Sequence, residues 1–139
     1  MTFEESKYFK ELKHTKVEFS FGRFYFFDNF LISELFEGIH FDWEKIQEVI
    51  GMIIDHYGEH PQIGHISNRI HSYSIEPQLW LNFYKQYNFI VASAIISYSD
   101  FNYMNATIEK HFAKSSLKRC FSLDEAMVWM LKLTEFNRN

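Results

Sequence analysis

The chain contains few of the residues on which several familiar protein classes depend. Its 139 residues include one cysteine, two prolines and five glycines. The single Cys120 excludes an internal disulfide, and its place beside Phe121 in a predicted strand indicates an inert, buried thiol. The glycines show none of the spacings of a phosphate-binding loop, and there is no Gly-x-Ser-x-Gly turn to present a nucleophilic serine. Phosphate-cradling loops and hydrolases of that serine type are therefore excluded.

Long apolar runs and clusters of basic residues are also missing. No apolar stretch approaches the roughly 18 residues of a membrane span, and the first residues, MTFEESK, lack the basic and apolar regions of a signal peptide. The 14 lysines and arginines are scattered in a chain of net charge -4, which disfavours nucleic-acid binding. We therefore expect a soluble, cytoplasmic protein without a cofactor.

Aromatic residues, by contrast, are abundant. The chain has 16 phenylalanines and eight tyrosines, more than a small core commonly needs. The additional rings either pack in the core and strands, or line a pocket or a partner-binding surface.

The first part of the chain predicts a short lead, an antiparallel meander and a helix. Residues 1–15 form either a short helix or a loosely held arm, and residues 16–135 form a single domain. The predicted meander has strands 16–21, 24–27 and 30–36, with turns at Gly22-Arg23 and Asp28-Asn29. Its aromatic edge strand would permit a homodimer. Asp42 is a predicted N-cap, and the apolar spacing from Ile46 to Tyr57 predicts a helix that Gly58 ends.

The second part of the chain alternates strands and helices. The predicted elements are strand 62–67, helix 77–84, strand 89–97, helix 102–113, strand 117–121 and a last helix capped by Ser122 and Glu125. Strand 89–97, FIVASAIIS, is apolar at consecutive positions, which is typical of a central strand covered on both faces. The order predicts an α/β fold, in an α+β arrangement, whose mixed sheet has an N-terminal antiparallel meander followed by parallel strands connected by helices.

The chain resembles a known family in this order of elements and in two short segments. The segments are 121–130, FSLDEAMVWM, and 66–74, ISNRIHSYS, and the helix before the last strand ends in EKHF at 109–112. Over roughly residues 16–133, these features resemble the SpoIIAA-like, or STAS-like, proteins of bacteria. The most specific feature is the terminal Phe-Ser-Leu-x-Glu-Ala-x-x-Trp pattern.

The resemblance implies a SpoIIAA-like fold and a non-enzymatic regulatory or protein-interaction module. The wider STAS class includes anti-sigma-factor antagonists that bind kinase-like partners and are switched by serine phosphorylation, whereas most SpoIIAA-like proteins have no assigned activity. Ser72 and Ser74 lie roughly where these regulators carry their serine, although this chain has no Asp-Ser pair there. Both are candidates for phosphorylation. From the residues alone, the N-cap of helix 77–84 is the preferred role of Ser74, ahead of phosphorylation.

A candidate partner or ligand rim follows from the predicted sheet, because open α/β sheets bind ligands beyond the carboxyl ends of their strands. The loops after strands 62–67 and 89–97 lie there. They contribute Asn68, Arg69, His71, Ser72, Tyr73, Ser74, Tyr98, Asp100 and Asn102. Arg69 beside Tyr73 can hold an anionic group; alternatively, Arg69 pairs with Asp100 or Glu76 across the loop.

Two enzyme-like patterns are present but incomplete. The segment HYGEH at 56–60 fits the His-x-x-Glu-His pattern of one zinc protease class. Gly58 and Pro61 are expected to end the helix between the two histidines, which prevents them from sharing a helix face. The rim contains serine, histidine and aspartate but lacks the strained serine turn. We therefore expect neither a metal site nor catalytic residues.

Two functions of different classes remain open. In the first, the protein is a non-enzymatic module that recognises an unknown protein partner, or itself, through the rim and the adjoining helix. In the second, it binds a small apolar or anionic ligand in an aromatic-lined cavity between the meander and the helices. That cavity would be built from some of Phe24, Phe26, Trp80, Tyr84 and Tyr98. The resemblance favours the first.

Overall fold

The computed structural model describes residues 1–99 and 116–133. The elements in chain order are α1 (Tyr8–Glu11), β1 (Thr15–Phe19), β2 (Gly22–Phe26), β3 (Phe30–Leu35), β4 (His40–Phe41), α2 (Trp43–Tyr57), β5 (Ile63–Arg69), β6 (Ser74–Ile75), α3 (Leu79–Gln86), β7 (Ile90–Ser97), β8 (Ser116–Cys120) and α4 (Leu123–Leu131). The strands of the main sheet and the long helix lie within two residues of their predicted bounds. The predicted helix 102–113 lies outside the described residues.

Six strands form one mixed sheet in the order β1-β2-β3-β5-β7-β8. The pairs β1–β2 and β2–β3 are antiparallel, whereas β3–β5, β5–β7 and β7–β8 are parallel. This arrangement confirms the predicted antiparallel meander followed by parallel strands. It also explains the composition of β7, which lies inside the sheet and is apolar on both faces because both faces are covered.

The two faces of the sheet bury separate hydrophobic cores. Helices α2 and α3 cover one face, whereas α4 and the N-terminal segment cover the other. The predicted caps of α2 are confirmed: the Asp42 carboxylate accepts a hydrogen bond from Lys45 N at 3.1 Å, and Gly58 ends the helix at φ 99°. The Ser122 hydroxyl likewise caps α4 by accepting a bond from Glu125 N at 3.0 Å.

The predicted turn at Gly22-Arg23 is wrong. The hairpin turn lies at Ser20-Phe21, and Gly22 is the first residue of β2, opposite Leu35. A Cβ atom on Gly22 would lie 2.9 Å from both Glu34 O and Leu35 Cδ2. Glycine is therefore needed at position 22 because β3 approaches the backbone closely there. The turn itself forms two residues earlier, at Ser20-Phe21.

The N-terminal segment is packed against the sheet. It contains the four-residue helix α1, and the Phe3 side chain is 0% exposed. The Phe3 ring lies 4.7 Å from the Tyr25 ring and 5.3 Å from the Phe27 ring, measured between centroids. Tyr8 donates a hydrogen bond to Asp124 on α4. Burial of Phe3 makes this segment part of the second core.

A second, two-stranded sheet was not expected from the sequence. Strands β4 and β6 pair in parallel, with His40 opposite Ser74 and Phe41 opposite Ile75. Ser74 is therefore not the N-cap of α3, which begins at Leu79; its hydroxyl is hydrogen-bonded to His40 Nδ1 at 2.7 Å. Two-residue strands carry too little alternation to be recognised in a sequence.

Among the described helices, none has the length and apolar character required to cross a membrane.

Candidate functional site

The structure divides the predicted rim between the two faces of the sheet. Strand β5 continues through Arg69, so Asn68 and Arg69 lie within a strand and not in a loop. Both are buried, at 1% and 3% exposed. Successive side chains of a strand point to opposite faces, so Asn68 contributes to the face covered by the N-terminal segment and Arg69 to the face covered by α2 and α3.

Asn68 belongs to a network that holds the N-terminal segment. Its amide nitrogen donates to Glu34 Oε2 at 2.8 Å and to Met1 O at 3.0 Å, and its amide oxygen accepts from the Tyr98 hydroxyl at 2.8 Å. Glu34 Oε2 also accepts from Phe3 N at 2.8 Å. Burial raises the pKa of the Glu34 carboxyl above its usual value and that of Tyr98 to about 12. Asn68 and Tyr98 therefore fasten the chain's first residues to the sheet.

Arg69 lies on the wall of a cavity between the sheet, α2 and α3. The free volume of this cavity is about 40 Å³. Its walls are mostly apolar, and they include Phe24, Leu31, Leu35, Val49, Ile53 and Trp80. A short row of polar side chains from the central strands completes the wall: Ser33, His65, Ser67 and Arg69, with Tyr73 above them.

These polar groups are hydrogen-bonded to one another. Ser33 Oγ and His65 Nε2 are 2.8 Å apart, and Ser67 Oγ is 3.3 Å from the Tyr73 hydroxyl. Arg69 Nε donates to Ser67 Oγ at 3.2 Å, and the guanidinium lies over the Tyr73 ring at 5.7 Å from its centroid. The arrangement places a cation, three hydroxyls and an imidazole at one side of an apolar space.

His65 is uncharged at neutral pH. Burial, assisted by the positive charge of Arg69, lowers its pKa from 6.5 to about 4. A general base works best when its pKa lies near the working pH, so this imidazole is poorly suited to activating the Ser33 hydroxyl. The pair is better suited to hydrogen bonding than to nucleophilic catalysis.

A smaller cavity of about 20 Å³ continues the first toward β8. It shares His65, Ser67, Arg69 and Trp80 with the first cavity and is completed by Tyr84, Ser93, Ile95 and Leu117. The rings of His65 and Trp80, with centroids 6.2 Å apart, belong to the walls of both. The polar row thus lies between two spaces.

The segment 70–76, which contains β6, forms one side of the larger cavity. Three backbone bonds hold it to the chain before α2: Gly38 N to Ser72 O at 2.8 Å, Ser74 N to Ile39 O at 3.0 Å and Glu76 N to Phe41 O at 2.9 Å. His71 Nδ1 lies 3.5 Å from Glu37 Oε2. His71, Ser72 and Ser74 are exposed, whereas Tyr73 and Ile75 line the cavity. The predicted rim residues Asp100 and Asn102 lie outside the described residues.

The two histidines of the zinc-like segment 56–60 do not share a helix. As predicted, Gly58 ends α2, so His56 lies in the last turn and His60 lies beyond the helix. Within residues 1–99 and 116–133, no three histidine, cysteine, aspartate or glutamate side chains converge in a way that would hold a metal ion.

No family model matches the chain, and no curated protein matches it either. Among solved structures, it is similar to an uncharacterised protein of the DUF3478 family with a SpoIIAA-like fold, from Shewanella loihica PV-4. The superposition has a TM-score of 0.56 at 11% sequence identity and covers 86% of this chain and 93% of the other. The fold is SpoIIAA-like. This likeness confirms the predicted fold, and the neighbour is itself of uncharacterised function.

Within this SpoIIAA-like fold, only part of the cavity lining was predictable from the sequence. Of the proposed aromatic lining, Phe24 and Trp80 line the larger cavity and Tyr84 the smaller one, whereas Tyr98 lies on the opposite face. Phe26 is buried in the same core as the cavity. The polar residues Ser33, His65, Ser67 and Ser93 were missed. Their only signal in the sequence is a polar side chain at alternate positions of otherwise apolar strands.

Proposed function

We propose that the protein is a non-enzymatic binding module that holds a small, mostly apolar ligand in the cavity between the sheet, α2 and α3. The observation that supports this proposal is the cavity itself, with apolar walls and a few convergent polar groups, as is typical of small-molecule sites. A water molecule needs roughly 10–15 Å³ of such volume, so about 40 Å³ admits a ligand of only a few non-hydrogen atoms.

Packing also favours a ligand in this space. The atoms around an apolar void lose dispersion contacts on one side, and a ligand that fills the void restores them. The neutral His65 and the buried Ser33 hydroxyl supply hydrogen-bonding groups without a reactive nucleophile. The site therefore suits recognition more than catalysis.

Native mass spectrometry of the freshly purified protein tests the proposal. We expect an additional bound mass in the wild type and its loss in Val49→Phe, where the larger ring enters the cavity. Val128→Phe is the matched control because Val128 is exposed on α4, and it should retain the mass. Two results together would contradict the proposal: a wild type that carries no bound mass, and a melting temperature that does not change when small apolar compounds are added.

A regulatory protein-interaction module is the second candidate. Phe121, Val128 and Leu131 at α4 are 65%, 42% and 51% exposed, and exposed apolar side chains of this kind are found at protein-binding surfaces. The partner would be another protein or a second copy of this chain. Light scattering and affinity capture should show a discrete complex that Leu131→Glu abolishes. If the wild type and Leu131→Glu are both monomeric and capture the same proteins, this candidate is wrong.

Phosphorylation of Ser72 or Ser74 remains a proposal attached to that second candidate. Both residues are exposed, and the Ser74 hydroxyl is hydrogen-bonded to His40. Phosphate on Ser74 would place negative charge beside the His40 imidazole and would disturb their hydrogen bond. Mass spectrometry of the protein isolated from its own cells should find phosphate on one of the two serines, and its absence from both would exclude the switch.

A further inference from the structure

Strand β1 forms one edge of the six-stranded sheet. Among the strands that the structure describes, it pairs with β2 alone. Phe27 N donates a hydrogen bond to β3, so the alternate residues of β2, including Phe24, direct their backbone groups to β1. Val17 lies opposite Phe24 and directs its own backbone groups to β2. The backbone groups of Lys16 and Glu18 therefore point away from the sheet, toward the open edge.

We propose that this edge binds a second copy of the same chain, with the two β1 strands antiparallel about a two-fold axis at Val17. Lys16 then lies opposite Glu18 of the partner subunit, and Glu18 lies opposite the partner's Lys16. Each pair exchanges two backbone hydrogen bonds, because its members are the residues whose backbone groups point outward. None of the described residues that line the cavities belongs to β1, so this inference does not rest on the proposed ligand.

The charges of β1 select this register. A shift by one residue would oppose an outward-directed residue to an inward-directed one, and the hydrogen bonds would be lost. An axis at Lys16 or at Glu18 would place like charges opposite each other, which destabilises a strand pair. An edge lysine ordinarily discourages pairing with another strand. With the axis at Val17, however, each Lys16 meets a carboxylate.

Neighbouring charges extend the complementary pattern across the interface. Glu18 Oε1 lies 3.3 Å from Arg23 Nε, and Lys16 Nζ lies 2.8 Å from Glu4 Oε2. The side chains of Lys16 and Glu18 are both exposed. Across the junction, the charges follow the order Arg23, Glu18, the partner's Lys16 and the partner's Glu4, and their sign changes at each step. The edge is therefore self-complementary in charge.

The opposite face of β1 adds an apolar contact. Val17 and Phe19 are half-buried against the first core. The Phe19 ring is held by the rings of Phe21 and Phe24, with centroids 5.0 and 5.1 Å away. At the two-fold axis, the two Val17 side chains lie side by side and bury surface that is exposed in the monomer. A single strand pair makes a small interface, so we expect a dimer that dissociates on dilution.

Charge reversal at β1 tests the proposal. Sedimentation velocity over a concentration series measures the dimer dissociation constant of the wild type, Lys16→Glu and Glu18→Lys. Each single substitution sets like charges opposite each other, so we expect it to raise this constant at least roughly tenfold. An equimolar mixture of the two variants should form a one-to-one heterodimer, because every facing pair then has opposite charges. Lys85→Glu, which makes the same charge change on an exposed residue of α3, is the control and should dimerise as the wild type does.

Two further chains make the outcomes decisive. The doubly substituted Lys16→Glu/Glu18→Lys chain should dimerise again, since opposite charges face each other once more. Leu131→Glu should leave the dimer intact, and its dissociation there would assign the contact to α4 instead. A wild type that stays monomeric over the whole series would overturn the proposal. A dimer that both single variants retain would also overturn it, as would a mixture and a doubly substituted chain that melt cooperatively yet stay monomeric.

Discussion

The Ser33 hydroxyl and the His65 imidazole lie 2.8 Å apart and join strands β3 and β5 across the middle of the sheet. Many hydrolases use a hydrogen-bonded serine and histidine, but the pKa of His65, about 4, is too low for it to act as an effective general base at neutral pH. Burial keeps His65 uncharged far below neutral pH. The stability of the folded protein therefore depends on the neutral form of His65.

Acidification should destabilise the protein through His65. Its pKa is about 4 in the folded state and 6.5 for an ordinary histidine, so the unfolded chain binds more protons between these values. The free energy of unfolding therefore falls as the pH drops from 6.5 to 4, with a contribution from His65 of up to about 3 kcal/mol. Urea unfolding across this range should show a weaker pH dependence for His65→Asn. The exposed His60→Asn should match the wild type, and an unchanged dependence in His65→Asn would refute the assignment.

Two glycine-to-alanine variants should act in opposite directions. Gly22→Ala places a Cβ 2.9 Å from Glu34 O, so backbone must move, and we expect a loss of about 1–3 kcal/mol in the free energy of unfolding. Gly51 lies within α2, and a Cβ added there would meet no atom within 4 Å. Gly51→Ala should stabilise the protein by roughly 0.5–1 kcal/mol, because alanine favours the helix. Urea denaturation of the pair measures both effects, and a tolerated Gly22→Ala would show that β3 does not require the close approach.

Loss of the Asn68 side chain should release the N-terminal segment. Asn68→Ala removes the bonds to Glu34, Met1 and Tyr98, and breaking a buried polar network of this kind costs about 1–3 kcal/mol. Residues before β1 should also become more susceptible to limited proteolysis. The exposed Asn88→Ala is the control and should change the stability by no more than about 0.5 kcal/mol. Equal cleavage rates in the two variants would show that Asn68 does not hold the segment.

Cys120 should be unreactive in the folded protein. Burial, with a smaller contribution from Glu125, raises the pKa of its thiol to about 11, and only the thiolate is nucleophilic. Alkylation by iodoacetamide at neutral pH should be at least roughly a hundredfold slower than for the urea-unfolded chain. Fast alkylation without unfolding would contradict the buried position of this side chain.

The predicted rim differs from the structure because the end of β5 could not be located from the sequence. The predicted strand 62–67 stops two residues short of β5, because Asn68 and Arg69 are polar and polar residues usually follow a strand. In the structure, Arg69 pairs with Ser97 on β7, and this contact between distant segments extends the strand. Because the strand continues through both residues, Asn68 and Arg69 point to opposite faces of the sheet. Asn68 therefore contacts the N-terminal segment, whereas Arg69 lines the cavity.

Local patterns determined the elements of this protein and their order. Caps such as Asp42 and Gly58, the alternation of the meander and the apolar run of β7 each depend on neighbours in the sequence, so they could be recognised there. The tertiary structure alone decided the cavity and the composition of its wall. Ser33, His65 and Arg69 meet because parallel strands set their register across the sheet, and α2, α3 and β6 enclose them. Strand register and the fit between layers arise from contacts between segments distant in the chain, and no local pattern encodes them.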